Sequence, residues 1–151
     1  MIERFGFEIT NFSISSELQE LVLDRDEHLL IINKENIDEL ISSLPSQASI
    51  LDNYSLIELQ NAELMPLFSD YGFISSNNRT YLFKEAILAF SITSGDTIEI
   101  EMALLQFEEY LIAKVLQNNE SVYFVDKNYK DLIIKVASAY DINVHIFDLD
   151  K

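Results

Sequence analysis

Cysteine is missing from this sequence of 151 residues, and glycine and proline are rare, with three and two copies. A chain without cysteine has no disulfide scaffold, no thiol nucleophile and no zinc–thiolate site. The scarcity of glycine and proline indicates that little of the chain is flexible linker. We therefore expect residues 1–151 to form a single globular domain, in keeping with the usual size of one domain.

Long hydrophobic runs are absent as well. No window reaches the roughly 18 uncharged apolar residues that a membrane-spanning helix requires. The first ten residues, MIERFGFEIT, carry an acidic side chain at position 3 and no long apolar stretch, unlike a secretory signal. These two absences make the cytoplasm the expected location.

Recognisable catalytic and ligand-binding motifs are missing too. The sequence has no Walker loop, no dinucleotide-binding glycine fingerprint and no Gly-x-Ser-x-Gly element. Its two histidines, His28 and His145, stand in no metal-ligand pattern. The acidic group Asp24, Asp26 and Glu27 lacks the glycine and the distal glutamate of a calcium loop. The sequence therefore predicts no catalytic, cofactor-binding or metal-binding residue and no cofactor, and we expect that the protein is not an enzyme.

Basic side chains are scarce: ten Lys and Arg stand against 26 Asp and Glu, which gives a net charge of −16. Residues 1–113 hold 20 acids and 5 bases, whereas residues 114–151 are nearly balanced, with 6 and 5. Nucleic acids and anionic membranes are bound through cationic groups, so this charge argues against both. It favours encounter with a basic protein partner, although solubility alone would also explain it.

The chain does contain ample material for a core, since 48% of its residues are apolar and it has ten Phe and seven Tyr. Apolar periods of 2 and 3.6 residues predict an α+β (mixed α/β) domain. In it, helices pack on a mainly antiparallel sheet, and a strand–helix–strand unit ends the chain. Strands are predicted over residues 4–10 (extended over 12–15), 29–32, 55–60, 73–75, 80–83, 86–93, 97–101, 122–125 and 144–147. Helices are predicted over residues 34–44, 61–71, 103–118 and 127–140.

Local signals define several element ends. Helix caps are predicted at Asn33, Gly72 and Asp126. The Asn77-Asn78 pair predicts a β-hairpin turn, because asparagine tolerates positive φ. With the next two strands, this hairpin would form an antiparallel meander over residues 73–101. Residues 46–54 are predicted to be a loop.

Three local structures have two interpretations each. Residues 18–23 fit a strand or a helix. The helix predicted over residues 61–71 begins either at its first residue or near Met65, which would place Pro66 in the first turn. Residues 121–148 fit either one parallel strand–helix–strand crossover or two strands that are separated in a mixed sheet.

Acidic side chains within residues 1–113 form the predicted contact surface for a basic partner. Glu99 and Glu101 are expected to share the outward face of one strand, and Tyr110 follows Glu108-Glu109 as an aromatic contact residue. The predicted partner-binding residues are Asp24, Asp26, Glu27, Glu99, Glu101, Glu108, Glu109 and Tyr110.

The chain is small and acidic, and it contains the stretch Leu67-Phe68-Ser69-Asp70-Tyr71-Gly72-Phe73, which is followed by Asn78-Arg79-Thr80-Tyr81. In these respects the sequence resembles bacterial toxin-immunity proteins, such as those of contact-dependent growth inhibition. The resemblance implies a tight one-to-one complex with a cognate toxin. Many such toxins are nucleases with basic clefts, which an acidic inhibitor complements.

Three other functions remain as alternatives. The first is a phage-encoded inhibitor or DNA mimic that blocks a DNA-binding enzyme of the host. The second is a small metal-dependent hydrolase, and the third is a structural or adaptor subunit of a larger assembly. The sequence leaves the oligomeric state and the identity of the partner open.

Overall fold

The computed structural model describes residues 1–9, 16–44 and 50–150 of the chain. In this part of the chain, eleven β-strands and four α-helices are joined by turns and short 3-10 helices. The strands are β1 (Ile2–Ile9), β2 (Asp24–Asp26), β3 (Leu29–Ile32), β4 (Ile50–Leu59), β5 (Glu63–Leu64), β6 (Gly72–Ile74), β7 (Thr80–Phe83), β8 (Ile87–Ser94), β9 (Ala113–Gln117), β10 (Glu120–Asp126) and β11 (Asn143–Ile146). The helices are α1 (Ser16–Leu21), α2 (Ile37–Ser43), α3 (Thr97–Phe107) and α4 (Lys130–Ala139).

The chain divides into two compact units. Unit 1 comprises residues 1–60 and 73–84, and unit 2 comprises residues 61–72 and 85–151. Each unit contains one sheet, and the strand pairs with a defined register are all antiparallel. This arrangement confirms the predicted α+β class. The expectation of one globular domain over residues 1–151 stays a prediction.

Unit 1 is built on a six-stranded sheet in the order β2-β3-β1-β4-β7-β6. On one face, β1 carries Phe5, Phe7 and Ile9 at the alternating positions that predict a strand. These side chains pack in one core with the buried Leu18 of α1 and Leu40 of α2. Residues 16–21 are therefore helical, which decides between the two interpretations of that segment.

The opposite face of the same sheet holds a second buried cluster, formed by Ile31, Leu56 and Tyr81. Gly6 of β1 lies on this face, and a Cβ atom there would come within 3.1 Å of the side chains of Leu29 and Leu56. Glycine at this position therefore lets the neighbouring side chains close over the middle of the sheet.

The edge strands of the unit 1 sheet, β2 and β6, come close to each other because the sheet is curled. The backbone N–H of Ser76, which follows β6, donates to the carbonyl of Arg25 in β2 with an N···O distance of 3.3 Å. The curl thus brings together two edge strands that are not neighbours in the sheet.

Unit 2 contains a five-stranded sheet in the order β11-β8-β10-β9-β5. Phe90 of β8 packs against Phe107 of α3, with ring centroids 5.2 Å apart in an edge-to-face arrangement. Ile133 and Ala137 of α4 lie in the same core. Strands β10 and β11 are both antiparallel to β8, which lies between them. The two strands of the C-terminal strand–helix–strand unit are therefore separated by β8, as the second interpretation predicts, but the strand pairs of this sheet are antiparallel, so the sheet is not mixed.

No helix among the described residues is long and apolar enough to cross a membrane.

The strand predicted over residues 97–101 is wrong, because these residues begin helix α3. Ile98 and Ile100 alternate with glutamates for only five residues, whereas Ile100, Ala103 and Phe107 continue at helical spacing. The helix buries Ala103 and Phe107 completely, and this packing outweighs the short alternation. Residues two apart on a helix point roughly 200° from each other, so Glu99 and Glu101 do not share one face.

The helix predicted over residues 103–118 is wrong beyond Phe107. A 3-10 turn follows over Glu108–Tyr110, and β9 then pairs with β10. Asn118 and Asn119 have φ values of 52° and 63°, which is the geometry of a two-residue hairpin turn. Asparagines interpreted as a helix end therefore connect two strands.

Other element boundaries also differ from expectation. Strand β4 begins at Ile50, so the loop predicted over residues 46–54 is wrong for its second half. The segment predicted as a helix over residues 61–71 begins with strand β5. A 3-10 helix then starts at Pro66, which agrees with the later of the two predicted helix starts. Gly72 opens β6 instead of capping a helix.

The predicted meander over residues 73–101 is wrong as well. Strands β6 and β7 belong to the unit 1 sheet, whereas β8 belongs to the unit 2 sheet. The hairpin within it is confirmed, with Asn78 at a φ of 60°. The predicted strand extension over residues 12–15 lies outside the described residues.

Two of the predicted cap residues differ in what their side chains do. Asn33 makes no side-chain cap; its amide oxygen accepts a 2.6 Å hydrogen bond from Nη1 of Arg4 instead. Asp126 does cap the turn that leads into α4, because its carboxylate accepts from the backbone N–H of Asn128. Asn33 therefore occupies the predicted N-cap position without a side-chain cap, whereas the cap prediction for Asp126 is confirmed.

Candidate partner-binding surfaces

Five of the predicted partner-binding residues lie on α3 and on the 3-10 turn that follows it in unit 2. Glu101, Glu108 and Glu109 are exposed, and Glu99 is half-buried. The structure thus places three exposed carboxylates along one helix and its C-terminal turn. Whether they contact a partner stays a prediction.

Tyr110, the fifth of these residues, is half-buried in the same turn. Its ring packs edge-to-face against Tyr129, with centroids 5.0 Å apart. A hydrogen bond to the carboxylate of Glu109, together with the negative charge there, raises the pKa of the Tyr110 phenol. Tyr110 is therefore a neutral donor that is held in place by two neighbours.

The outer face of α3 carries an apolar stripe, formed by Ile98, Met102 and Leu105. These side chains are 68%, 43% and 60% exposed. They stand at positions i, i+4 and i+7, which lie along one side of a helix. The inner side of α3 carries Ala103 and Phe107, both fully buried. Helix α3 therefore has two apolar sides, and only one of them belongs to the core of unit 2.

The sequence contains a signal for this stripe that the strand interpretation hid. Ile98 and Ile100 alternate with Glu99 and Glu101, and in a strand this alternation would point both isoleucines into a core. On a helix, Ile98 points to the side opposite Phe107. Apolar spacing on two faces of one predicted helix would have indicated the stripe.

The apolar stripe has acidic neighbours. Glu101 lies next to it on the helix, and Glu108 and Glu109 follow at the end of α3. An apolar centre with a polar rim is the usual arrangement of a protein–protein interface. Three apolar anchors at i, i+4 and i+7 are also the pattern by which a helix docks into a groove.

Asp24, a predicted partner-binding residue, is buried in unit 1 and only 2% exposed. Its carboxylate accepts hydrogen bonds from the hydroxyls of Ser75 and Tyr81, from the side-chain amide of Asn77 at 2.8 Å and from the backbone N–H of Arg25. Burial alone would raise the pKa of this carboxyl, but the four hydrogen bonds outweigh it, and the pKa is lowered. Asp24 is thus a buried residue that accepts hydrogen bonds within unit 1 and presents no charge at the surface. This corrects its predicted role as a partner-binding residue.

The remaining two predicted residues of unit 1, Asp26 and Glu27, lie at the rim of a pocket. Asp26 is half-buried, and its pKa is raised by burial and by repulsion from Glu27 and Asp24. Glu27 is exposed in the turn between β2 and β3, with a φ of 51°. Both carboxylates face the same concave surface.

This pocket has a volume of about 290 Å³ and opens on the curled face of the unit 1 sheet. Carboxylates of Glu8, Asp26 and Glu27 line it together with three aromatic rings. The aromatic lining residues are Tyr54, Phe73 and Phe83. This combination of rings and carboxylates was not predicted, because the lining comes from six strands and a turn that are brought together only by the fold.

The two histidines occupy different settings. His28 is exposed beside Glu27 and borders the same pocket. His145 is exposed on β11, and its ring packs edge-to-face on Phe147 at 4.8 Å. Across residues 1–9, 16–44 and 50–150, no group of three or more His, Cys, Asp or Glu side chains is placed to hold a metal ion.

Comparison with protein-family models, with curated proteins and with solved structures finds no match to this chain.

Proposed function

We propose that this protein is an acidic, protein-binding inhibitor that acts through the outer side of α3 and the acidic turn after it. In the simplest form of the proposal, it is an immunity protein. It would neutralise a cognate basic toxin of the nuclease type by one-to-one binding. The observation that carries the proposal is the exposed apolar stripe of Ile98, Met102 and Leu105 beside the carboxylates of Glu101, Glu108 and Glu109.

The apolar stripe supplies the affinity in this proposal. Burying one Ile, Leu or Met side chain completely against a partner is worth roughly 1.5–3 kcal/mol. Three such anchors in one line form a continuous apolar centre for an interface. Apolar side chains that are exposed to solvent do not stabilise the fold of their own helix, so an external partner is the simplest explanation of the stripe.

The acidic groups make the surface selective for a basic partner. Unit 2 carries 14 acidic and 5 basic side chains, a net charge of −9. Such a charge steers basic proteins toward the surface and repels nucleic acid and anionic membranes. A partner that fits has an apolar groove with lysines or arginines at its edges.

A capture experiment with tagged protein from the native host tests this proposal. The capture is made at low salt and again at about 0.5 M salt, where attraction between exposed charges is mostly screened. Wild type is compared with a variant that carries both Ile98→Lys and Leu105→Lys. The matched control is Ile134→Lys, because Ile134 is also an exposed apolar residue on a helix of unit 2, at 47%.

The proposal predicts one stoichiometric basic partner that persists at high salt with wild type and with the Ile134 control. The double variant should lose it, and the partner's own activity should fall when wild type is added. Equal capture by all three proteins would contradict the proposed surface. Capture of a host DNA-binding enzyme in place of a toxin would overturn the immunity role in favour of a DNA mimic.

A further inference from the structure

We infer that the pocket on the curled face of the unit 1 sheet binds the guanidinium group of an arginine side chain from a basic protein partner. The source of the arginine rests on the proposed function. The chemistry rests on the pocket alone.

Three aromatic residues, Tyr54, Phe73 and Phe83, line the pocket. The ring of Phe83 lies 5.5 Å from that of Tyr54 and 5.7 Å from that of Phe73, measured between centroids. The two pairs are tilted by 59° and 44°, so the rings present their faces in different directions. Rings in such an arrangement attract a cation through their negative faces, and a planar guanidinium also stacks on them.

Three acidic residues, Glu8, Asp26 and Glu27, also line the pocket, together with His28 and Leu29. The hydroxyl of Tyr54 contacts Oε2 of Glu8 at 3.4 Å, which links the aromatic side to the acidic side. Burial, together with repulsion from Glu27 and Asp24, raises the pKa of Asp26, and a bound cation would relieve the repulsion.

A guanidinium matches this lining better than an ammonium does. It offers five N–H donors in one plane, so it can bond two carboxylates at its edges while its face rests on a ring. An ammonium is a compact, strongly hydrated charge without a planar face to stack on a ring, so it loses more hydration for fewer contacts in this pocket.

The size of the pocket favours one side chain as its occupant. Its volume of about 290 Å³ lies just below the range of pockets for drug-sized ligands, which starts at roughly 300 Å³. Unit 1 carries 12 acidic and 5 basic side chains, a net charge of −7. This charge steers a basic partner toward the opening.

The test is an NMR titration of the whole protein, at low ionic strength, with N-acetyl-arginine amide. Its neutral isostere N-acetyl-citrulline amide serves as the control probe, and N-acetyl-lysine amide tests the preference for guanidinium. The variants are Glu27→Gln and Phe83→Leu. Glu39→Gln, an exposed acid on α2 of the same unit, is the matched control. The spectrum of each free variant shows whether it is folded.

The arginine probe should shift the signals of residues 26–29, 54, 73 and 83 in a saturable way. Citrulline should bind at least roughly tenfold more weakly, since it has lost the charge. Glu27→Gln should weaken binding several-fold while the spectrum stays that of a folded protein, and Glu39→Gln should bind as wild type does. Phe83→Leu should also weaken binding.

Absence of saturable shifts at the pocket would overturn the inference, as would equal binding of arginine and citrulline. Equal binding of lysine and arginine would overturn the preference for guanidinium. These outcomes do not depend on any partner. A failed capture experiment would therefore contradict the proposed function and leave the guanidinium site standing. A failed titration would contradict the guanidinium site and leave the proposed function standing.

Discussion

The hydroxyl of Tyr81 donates a hydrogen bond of 2.7 Å to the carboxylate of Asp24, a residue 57 positions earlier in the chain. Tyr81 stands on β7, and Asp24 stands on the edge strand β2. With Ser75 and Asn77, the pair connects the two ends of the curled sheet. The unit 1 pocket lies on this curl, so the integrity of the site depends on Asp24 even though Asp24 does not line it.

Replacing Asp24 should therefore destabilise unit 1. Hydrogen bonds to a charged group are worth about 1.5–3 kcal/mol each, and the donors left behind are buried. We expect Asp24→Ala to lower the free energy of unfolding by roughly 2–5 kcal/mol. Urea denaturation measures the change, with Asp38→Ala on the exposed side of α2 as the control, which should stay within about 0.5 kcal/mol of wild type. A loss no larger at Asp24 than at Asp38 would show that Asp24 contributes nothing.

The stabilisation from Asp24 should also depend on pH. Its folded-state pKa lies below the ordinary value of 3.8, so its contribution is fully present above that value. The contribution is lost as the pH falls through the lower, folded-state pKa. Asp26 has a raised pKa and contributes in the opposite direction, because its protonation removes a charge that is disfavoured by burial and by repulsion from Glu27 and Asp24.

We therefore expect the difference in unfolding free energy between wild type and Asp24→Asn to shrink as the pH falls below 3.8. Unfolding curves over a series of acidic buffers measure this difference. Asp26→Asn should show the reverse trend relative to wild type. A gap between wild type and Asp24→Asn that stays constant with pH would contradict the assigned ionisation.

Tyr71 of unit 2 provides a separate titration. Its hydroxyl donates a 2.7 Å hydrogen bond to Asp126, and this bond, with burial and the nearby charge, raises the pKa of Tyr71 to about 12. The resulting stabilisation is present below the ordinary pKa of 10.0 and is lost as the pH rises through about 12.

Replacing Asp126 with Asn should move the pKa of Tyr71 back toward 10.0. Carbon-13 NMR of the tyrosine rings measures it directly. Asp131→Asn, at an exposed site in the first turn of α4, is the control and should leave Tyr71 unchanged. A Tyr71 pKa that is the same in wild type and in the Asp126 variant would contradict the hydrogen bond between Tyr71 and Asp126 as the cause of the raised pKa.

Substitutions on the two sides of α3 should differ strongly in how much stability they cost. Phe107 is fully buried in the unit 2 core, so Phe107→Ala should cost about 3–5 kcal/mol of stability. Leu105→Ser, two residues away on the exposed side, should change stability by no more than about 0.5 kcal/mol. Thermal unfolding of both variants measures this contrast. A large loss at Leu105 would mean that the stripe belongs to a core and not to a binding surface.

Local sequence signals predicted the elements that local interactions determine. Residues 29–32 are apolar throughout and form β3 with those bounds, and the Asn77-Asn78 pair forms the expected hairpin turn. Residues 97–101 were predicted incorrectly because five alternating residues fit a strand and a helix equally well. The burial of Phe107 against β8 decides for the helix, and this contact is not visible from the segment alone.

The candidate sites were only partly predictable for the same reason. Exposed acids such as Glu108 follow from charge alone. The burial of Asp24 depends on Ser75, Asn77 and Tyr81, which lie more than 50 positions away and meet it only because the sheet curls. The pocket depends on the same long-range contacts, so neither could be found from local patterns.

The most direct test of the account is a binding measurement with the partner identified by capture. Dissociation constants are compared for wild type, for the Ile98→Lys and Leu105→Lys double variant, and for Ile134→Lys, at low salt and at about 0.5 M salt. The double variant should bind at least roughly a hundredfold more weakly at both salt concentrations, since two apolar anchors are lost. The Ile134 variant should bind as wild type does. Equal affinity of the double variant and wild type would show that the outer side of α3 is not the binding surface.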